Sequence, residues 1–525
     1  MNFVVLAVAL PLLAGFLTPA LGRSSRALAQ WLGWGTLAVC IGVLWVAWAR
    51  LDGGTVAIAI GGFRPPLGIV FYLDAVALLF GLAVPLMALL LWPREGTPQQ
   101  FALTLVLTAS ATGLALSGDI FNLYVFYELT AAASFGLIAG RGTGAAQGAA
   151  LRYLLLSAAG SVLLLAGITI VYLRTGTLNL AHLATLAPER LQDPVGLAAF
   201  ALMLIGLGVK GELFPVNGWV PEVYGSVSGR LAGLLAGLVS KLAVLVVVRI
   251  LVLIFPQPEA AQLMLVLGML GIVAGELAAW RARDLRRQFA FSSIGQLGIV
   301  FVAFSVPGEA GIVAGLAVAL HHLLVKPALF LLAERWGGSI EGLRGAGRGH
   351  WLASGLFILF ALSLVGLPPL PGFWAKLLTV MGLMGLGTGL AWLGALTVMA
   401  ATVVEAAYLF RTLSVLLARE AGYTSPGPHR GLDLVTASLA GLVLVGSVFA
   451  LHPLGDGLKA MAAQAADVQG YIRTVLGDRA VARRGQREDR ISEAHPASRG
   501  SDRPMGRADR AYGWPAGSPT RGARS

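Results

Sequence analysis

The chain carries a single cysteine in 525 residues, Cys40, set inside an apolar run. That excludes an intrachain disulfide, a cysteine-ligated iron–sulfur cluster and a Cys-rich zinc site. No GxGxxG opens a helix with an acidic partner, and no GxxxxGK[ST] occurs, so nucleotide and redox-cofactor chemistry has no signature here. No cofactor and no metal is expected in this chain. Charge is scarce, at 12% of residues against 57% hydrophobic, and the mean hydropathy is +0.79. Lysine is scarcer still: of 38 basic residues only five are lysine, namely Lys210, Lys241, Lys326, Lys376 and Lys459.

What the sequence has instead is long apolar runs, many of them 18 residues or more, which exclude a soluble fold. The expected class is an all-α polytopic membrane protein with about 14 transmembrane helices. The runs divide the chain into an N-terminal three-helix segment (1–95), spans four to eight (96–255), spans nine to thirteen (256–420), a final span (430–455) and a mostly disordered basic tail (456–525). The net charge of +12 is no sign of nucleic acid. From Lys459 onward there are 13 Lys/Arg against 7 Asp/Glu, so about half the excess lies in the tail. His495 and Trp514 there read as incidental. The rest is mostly arginine in loops, four of it in RARDLRRQ (281–288). The positive-inside rule then places those loops in the cytoplasm and both termini outside, with the basic tail in conflict with the rule.

Four of the five lysines fall inside apolar spans. Arginine cannot be deprotonated in practice, whereas a buried lysine can give up its proton, so this usage marks candidate proton carriers rather than packing. Two of them lie in GVKGELFPVNGWVPEVYGSVSGRLAGLLAGLVSKLAVLVVVRI, where prolines interrupt an apolar run between Lys210 and Lys241. The break recurs: P-V-N-G-W at 215–219 is echoed by P-L-P-G-F at 369–373. Lys210 and Lys376 stand beside the two breaks. A second intramembrane charge follows each about thirty residues on, Lys241 and Glu405, and then an arginine, Arg249 and Arg411. Five spans separate the breaks, so they run in opposite directions. The pattern is that of two inverted five-helix repeats, each with a broken helix. Between them, His322 and Lys326 share a helix face and read as a proton relay, while His321 reads as packing. Glu128, alone in the middle of span five, needs a cationic partner, for which Lys210 is the natural candidate. Asp119 reads as a helix cap. Glu276 reads as a helix-end residue facing the arginines after it. Glu212, Glu405 and Asp74 are candidate modulators.

These segments together resemble the antiporter-like subunits shared by respiratory complex I and the multisubunit Mrp-type cation/proton antiporters. FNLYVFYELT is similar to the family's fifth-helix segment with its glutamate, here Glu128. GVK with FPVNGWVPE resembles the seventh-helix lysine, here Lys210, and its break. SKLAVLVVVRI carries the eighth-helix lysine, here Lys241. HHLLVKPALF holds the central His322 and Lys326, and GLPPLPGFWAK the terminal Lys376. GGFRPPLGIVFYLDAVALLF and TGTLNLAHL resemble the D-type member of the Mrp set. The segment EVYGSVSGR (222–230) departs from the family pattern, Glu212 and Arg230 are also unusual for it, and no long lateral amphipathic helix follows the last span. The resemblance implies a proton-translocating subunit of an Mrp-type Na+/proton antiporter in a bacterial inner membrane, coupled to Na+ or K+ and partnered by other membrane subunits. Complex I-like or hydrogenase-type redox pumps are the alternative, and a transport-inactive scaffold the second.

Overall fold

The computed structural model describes residues 1–419, 431–478 and 480. Chain order is α1 (Leu6–Ser24), α2 (Arg26–Leu51), β1 (Val56–Ala59), β2 (Val70–Leu73), α3 (Ala75–Leu90), α4 (Pro98–Leu116), α5 (Ile120–Ala139), α6 (Gly144–Thr175) and α7 (Leu180–Arg190). There follow α8 (Pro194–Gly208), α9 (Val220–Ser226), α10 (Gly229–Leu234), α11 (Ser240–Leu253), α12 (Pro258–Arg281), α13 (Leu285–Phe304) and α14 (Gly308–Trp336). The last six are α15 (Trp351–Val365), α16 (Pro371–Gly385), α17 (Gly389–Leu416), α18 (Gly431–Phe449), α19 (Leu451–Ala466) and α20 (Val468–Leu476).

Eleven stretches among the described residues are long and apolar enough to cross a membrane, and α3, α8 and α15 are shorter apolar helices. The protein is an all-α polytopic membrane protein. Polar caps start most of these helices, because the first N–H groups have no partner within the helix. Thr97 and Gln100 form a reciprocal capping box at α4, and Asp119 accepts from the Phe121 and Asn122 amides at α5, as expected of a cap. The most enclosed elements are the 229–253 stretch, α13 and α14, which form the centre of the bundle; α2 and α18 lie at its rim.

Both expected breaks are present. After α8 the chain turns through 209–219, and buried polar side chains answer the carbonyls this frees: Trp219 Nε1 donates to Val209 O (2.8 Å) and Asn217 Nδ2 to Glu212 O (3.2 Å). Irregular backbone at membrane depth requires such partners. The second break lies between α15 and α16. There Gly366 takes a left-handed φ of 84°, and a Cβ at Gly372 would collide with the Ser363 carbonyl, so the turn admits only glycine.

Three features were not anticipated. A short antiparallel ladder pairs β1 with β2, from Val56 opposite Leu73 to Ala59 opposite Val70. A π-helical turn, Leu235–Val239, joins α10 to α11. The tail, expected to be mostly disordered from 456, is helical as far as Leu476, because its small and apolar residues alternate with polar ones in amphipathic order. These last helices dock on the N-terminal segment. Gln464 Nε2 donates to Gly53 O (3.1 Å) and Gly54 O (2.8 Å), and its Oε1 accepts from Ala75 N (2.7 Å). Thr474 meets Thr55 at 2.7 Å, and the Tyr471 ring lies 3.9 Å from that of Tyr72. The rest of the tail, with His495 and Trp514, falls outside the described residues.

Candidate functional site: a buried line of ionisable side chains

Lys210 sits where α8 ends and the first break begins, and is 1% exposed. Its ammonium lies 3.8 Å from Glu128 Oε1 on α5, donates to Ser157 Oγ on α6 (3.2 Å) and stands 3.2 Å above the Tyr127 ring. Tyr127 is fixed by donating its hydroxyl to Gly206 O at 2.7 Å. Glu128 is the less enclosed partner, with its side chain 35% exposed. The pairing expected for Glu128 is present as a close ion pair just beyond hydrogen-bond length.

Glu212, two residues on, takes a left-handed φ of 58° inside the break. That turns its side chain away from the Glu128 contact and inward. It accepts from the Tyr224 hydroxyl (2.7 Å) and lies within electrostatic range of both Lys241 and Lys326. Lys241 follows the π-helical turn, in which Ser240 N–H reaches back five residues to Leu235 O. The Ala236 carbonyl is then taken by the Ser240 hydroxyl (2.9 Å) and by the Lys241 ammonium, which also reaches Ser240 Oγ at 3.1 Å. π-turns of this kind are frequent at functional sites.

His322 and Lys326 project from α14 onto α13. His322 Nε2 meets Ser293 Oγ at 3.3 Å, and Lys326 donates to Ser292 Oγ (2.6 Å) and Phe289 O (3.4 Å). His321, read as packing, is buried and meets Ser363 Oγ at 2.9 Å, beside the second break. At the far end Lys376 donates to Glu405 Oε2 (2.6 Å) and Thr402 Oγ1 (3.1 Å), and Gln296 Nε2 donates to Glu405 Oε1 (2.8 Å). Glu405 is thus a direct partner of Lys376.

Two expectations change. Asp74 stands off this line: it caps α3 by accepting from Ala77 N (2.6 Å) and pairs with Arg249 at 2.9 Å. Glu276 does not face the arginines at the end of α12. It is 2% exposed and turned inward against Gly295 of α13. The arginines of the two repeats also differ, since Arg411 donates to the Trp280 carbonyl at the surface while Arg249 is buried in its pair.

Residues 117–404, more than half of the chain, match the family described as NADH:quinone oxidoreductase/Mrp antiporter, TM. The chain belongs to this family. Among curated relatives, NADH-quinone oxidoreductase subunit N of Desulforudis audaxviator (strain MP104C) is 32% identical over 405 residues, covering 71% of this chain and 79% of the relative. The D component of the Na(+)/H(+) antiporter of Bacillus subtilis (strain 168) is 28% identical over 397 residues, with the same two coverages, 71% and 79%. A chain of the Mrp complex from Dietzia sp. DQ12-45-1b shares the fold with a TM-score of 0.83 at 25% identity, over 90% of this chain and 99% of that one.

The matched stretch includes Glu128, Lys210, Glu212, Lys241, Glu276, His322, Lys326 and Lys376, and ends one residue before Glu405. Sequence reasoning undervalues Glu276, Gln296 and Tyr408. The usable signal is that Glu276 precedes the first arginine of its helix by more than one turn, at Arg281, with apolar residues and Trp280 between.

Proposed function

We propose that the chain is the proton-translocating membrane subunit of a multisubunit Mrp-type Na+/proton antiporter in a bacterial inner membrane. The observation that carries this reading is the line itself: Glu128, Lys210, Lys241, His322, Lys326 and Lys376, joined by Glu212 and Glu405, which runs through a membrane bundle from the partly exposed Glu128 across its enclosed centre. Ionisable groups at that depth are costly and mark ion paths. In this reading Lys241 is loaded from one side through the junction of α10 and α11. The proton then moves through His322 and Lys326 to Lys376, whose partner Glu405 sets when it is released. The two repeats, 96–255 and 256–420, each supply one broken helix to this path, and the N-terminus lies outside.

The Glu128–Lys210 pair is the switch. At an effective dielectric of about 20, opposite charges near 4 Å interact by roughly 4 kcal/mol, reduced here by screening at the partly exposed Glu128. Moving one charge against 100 mV costs about 2.3 kcal/mol. The two are of the same size, so opening one ion pair can bias one proton step: a freed Lys210 ammonium repels the proton on Lys241.

The redox reading shares these residues and is favoured by the 32% identity to a quinone oxidoreductase subunit N. In that case the same switch is driven by partner subunits rather than by a Na+ gradient. The test is Lys210→Ala and Glu128→Ala in the reconstituted complex, with proton uptake followed under an imposed Na+ gradient. Wild-type rates in both variants would remove the assignment. Proton movement that needs an electron donor and ignores Na+ would replace the antiporter by the redox pump.

A further inference from the structure

We propose that Glu276 of α12 is a proton relay residue, holding the proton between Lys326 and the Lys376–Glu405 pair; this deepens the proton-translocating reading above and rests on it. The line of ionisable groups has a gap at this place. Lys326 is engaged with Ser292 and Phe289 on α13, while Lys376 is engaged with Glu405 and Thr402 on α17. Among the described residues no hydrogen bond joins the two lysines or their partners.

Glu276 fills that gap. Glu276 is 2% exposed, and neither carboxylate oxygen has a partner within standard hydrogen-bond geometry among the described residues; the Tyr408 hydroxyl of α17 reaches it in a looser side-chain contact. Buried carboxylates are normally bonded or paired, and one left open on both oxygens is expensive for packing alone. It lies within electrostatic range of Glu405, Lys326 and Lys376. The Tyr408 hydroxyl lies between Glu276 and Ser292, facing each in a contact looser than a standard hydrogen bond. The order is therefore Lys326 ammonium, Ser292 hydroxyl, Tyr408 hydroxyl, Glu276 carboxylate, then the Glu405–Lys376 pair.

The backbone is shaped to admit this carboxylate. α12 and α13 approach through Gly268 and Gly275 against Gly298 and Gly295, and a Cβ on Gly295 would collide with Glu276 Oε1. Such close glycine approaches let helices pack tightly in membranes. Here one of them also leaves room for an inward acid. The step balances simply. The Lys326 ammonium loses a proton, the two hydroxyls each pass one on, and the Glu276 carboxylate becomes a carboxylic acid. When the Glu405–Lys376 pair opens and Lys376 has released its own proton outward, the acid gives its proton to the Lys376 amine and returns to carboxylate. No electrons move.

The experiment compares Glu276→Gln, Glu276→Asp and Lys326→Ala in the full complex reconstituted in vesicles, scoring proton movement, subunit assembly and the infrared carbonyl band of a protonated carboxylic acid. Glu276→Gln is expected to assemble, to slow proton movement by about 100-fold, the scale of losing one proton-transfer group, and to lose that band. Glu276→Asp is expected to keep a shifted band and an intermediate rate. Wild-type rates in Glu276→Gln with Lys326→Ala inactive would overturn the relay and leave the rest of the line standing. Wild-type rates in both would remove the line and the relay together. Should Glu276→Gln fail to assemble, Glu276→Asp decides: an unshifted carbonyl band there overturns the proposal.

Discussion

The contact between α12 and α13 sets where Glu276 and its neighbours meet, and Gly298→Ala tests it. A Cβ at Gly298 would stand 2.7 Å from Gly268 O, 2.7 Å from Ile272 N and 2.8 Å from an Ile272 side-chain carbon. Ordinary contact begins near 3.4 Å. Two of the three obstacles are backbone atoms of a helix that cannot rotate away, so the helices must part by several tenths of an ångström. Overpacking a close-packed site typically costs about 1–3 kcal/mol, and backbone on the far side puts this one at the upper end. Unfolding of the purified protein in detergent, followed by intrinsic fluorescence, should show a melting point lower by about 3 °C, at roughly 1 °C per kcal/mol for a chain of this length. Gly42→Ala is the internal control: the same substitution in α2, where an added Cβ meets nothing within 4 Å. It should leave stability within about 0.5 kcal/mol. Equal melting of Gly298→Ala, Gly42→Ala and the unaltered protein would refute the close approach. The placement of Glu276 would then lose its support as well.

Two further predictions concern buried ion pairs. Removing one partner of such a pair leaves an uncompensated charge at a cost of about 3–5 kcal/mol; Lys376→Met should therefore destabilise strongly, and adding Glu405→Gln should restore part of the loss while transport stays absent, so additive losses in a thermal melt would refute the pairing. At Asp74 the cap and the charge separate: Asp74→Asn keeps an amide oxygen for Ala77 N and loses only the pair with Arg249, whereas Asp74→Ala loses both and should be about 1 kcal/mol less stable still. Transport should persist in Asp74→Asn, because the pair stands off the proposed path; an inactive, fully folded Asp74→Asn would put Asp74 on it.

What can be read from the sequence is whatever is expensive. A lysine or glutamate in an apolar run stands out, so Glu128, Lys210, Lys241, Lys326 and Lys376 are visible, as are the two proline breaks whose carbonyls need special partners. The span order is visible too, because a bilayer imposes length and hydropathy on each helix. Less legible is anything set by contact between distant segments. Glu276 is misread because nearby arginines offer a cheaper local partner, and only the glycine face of α13 shows that it turns the other way. The π-turn before Lys241 has no residue pattern of its own. It is recognised by the Ala236 carbonyl that Ser240 and Lys241 share. The docked α19 and α20 depend on residues some 400 positions apart in the chain, such as Thr55 and Thr474, and no local signal encodes such a meeting.

The docking of the last two helices on the first has a consequence for how the protein is made. The Ala75 amide opens α3, yet its partner, Gln464, is synthesised almost 400 residues later. Until then that N–H, the Gly53 and Gly54 carbonyls and the Thr55 hydroxyl must be met by water or by a chaperone. Contacts of such long sequence separation form late. A chain that stops short of α19 therefore leaves the ribosome with a recognisable raw edge on its N-terminal segment. Arrival of Gln464, Tyr471 and Thr474 covers that edge, so the N-terminal segment is closed only after α19 and α20 have been made.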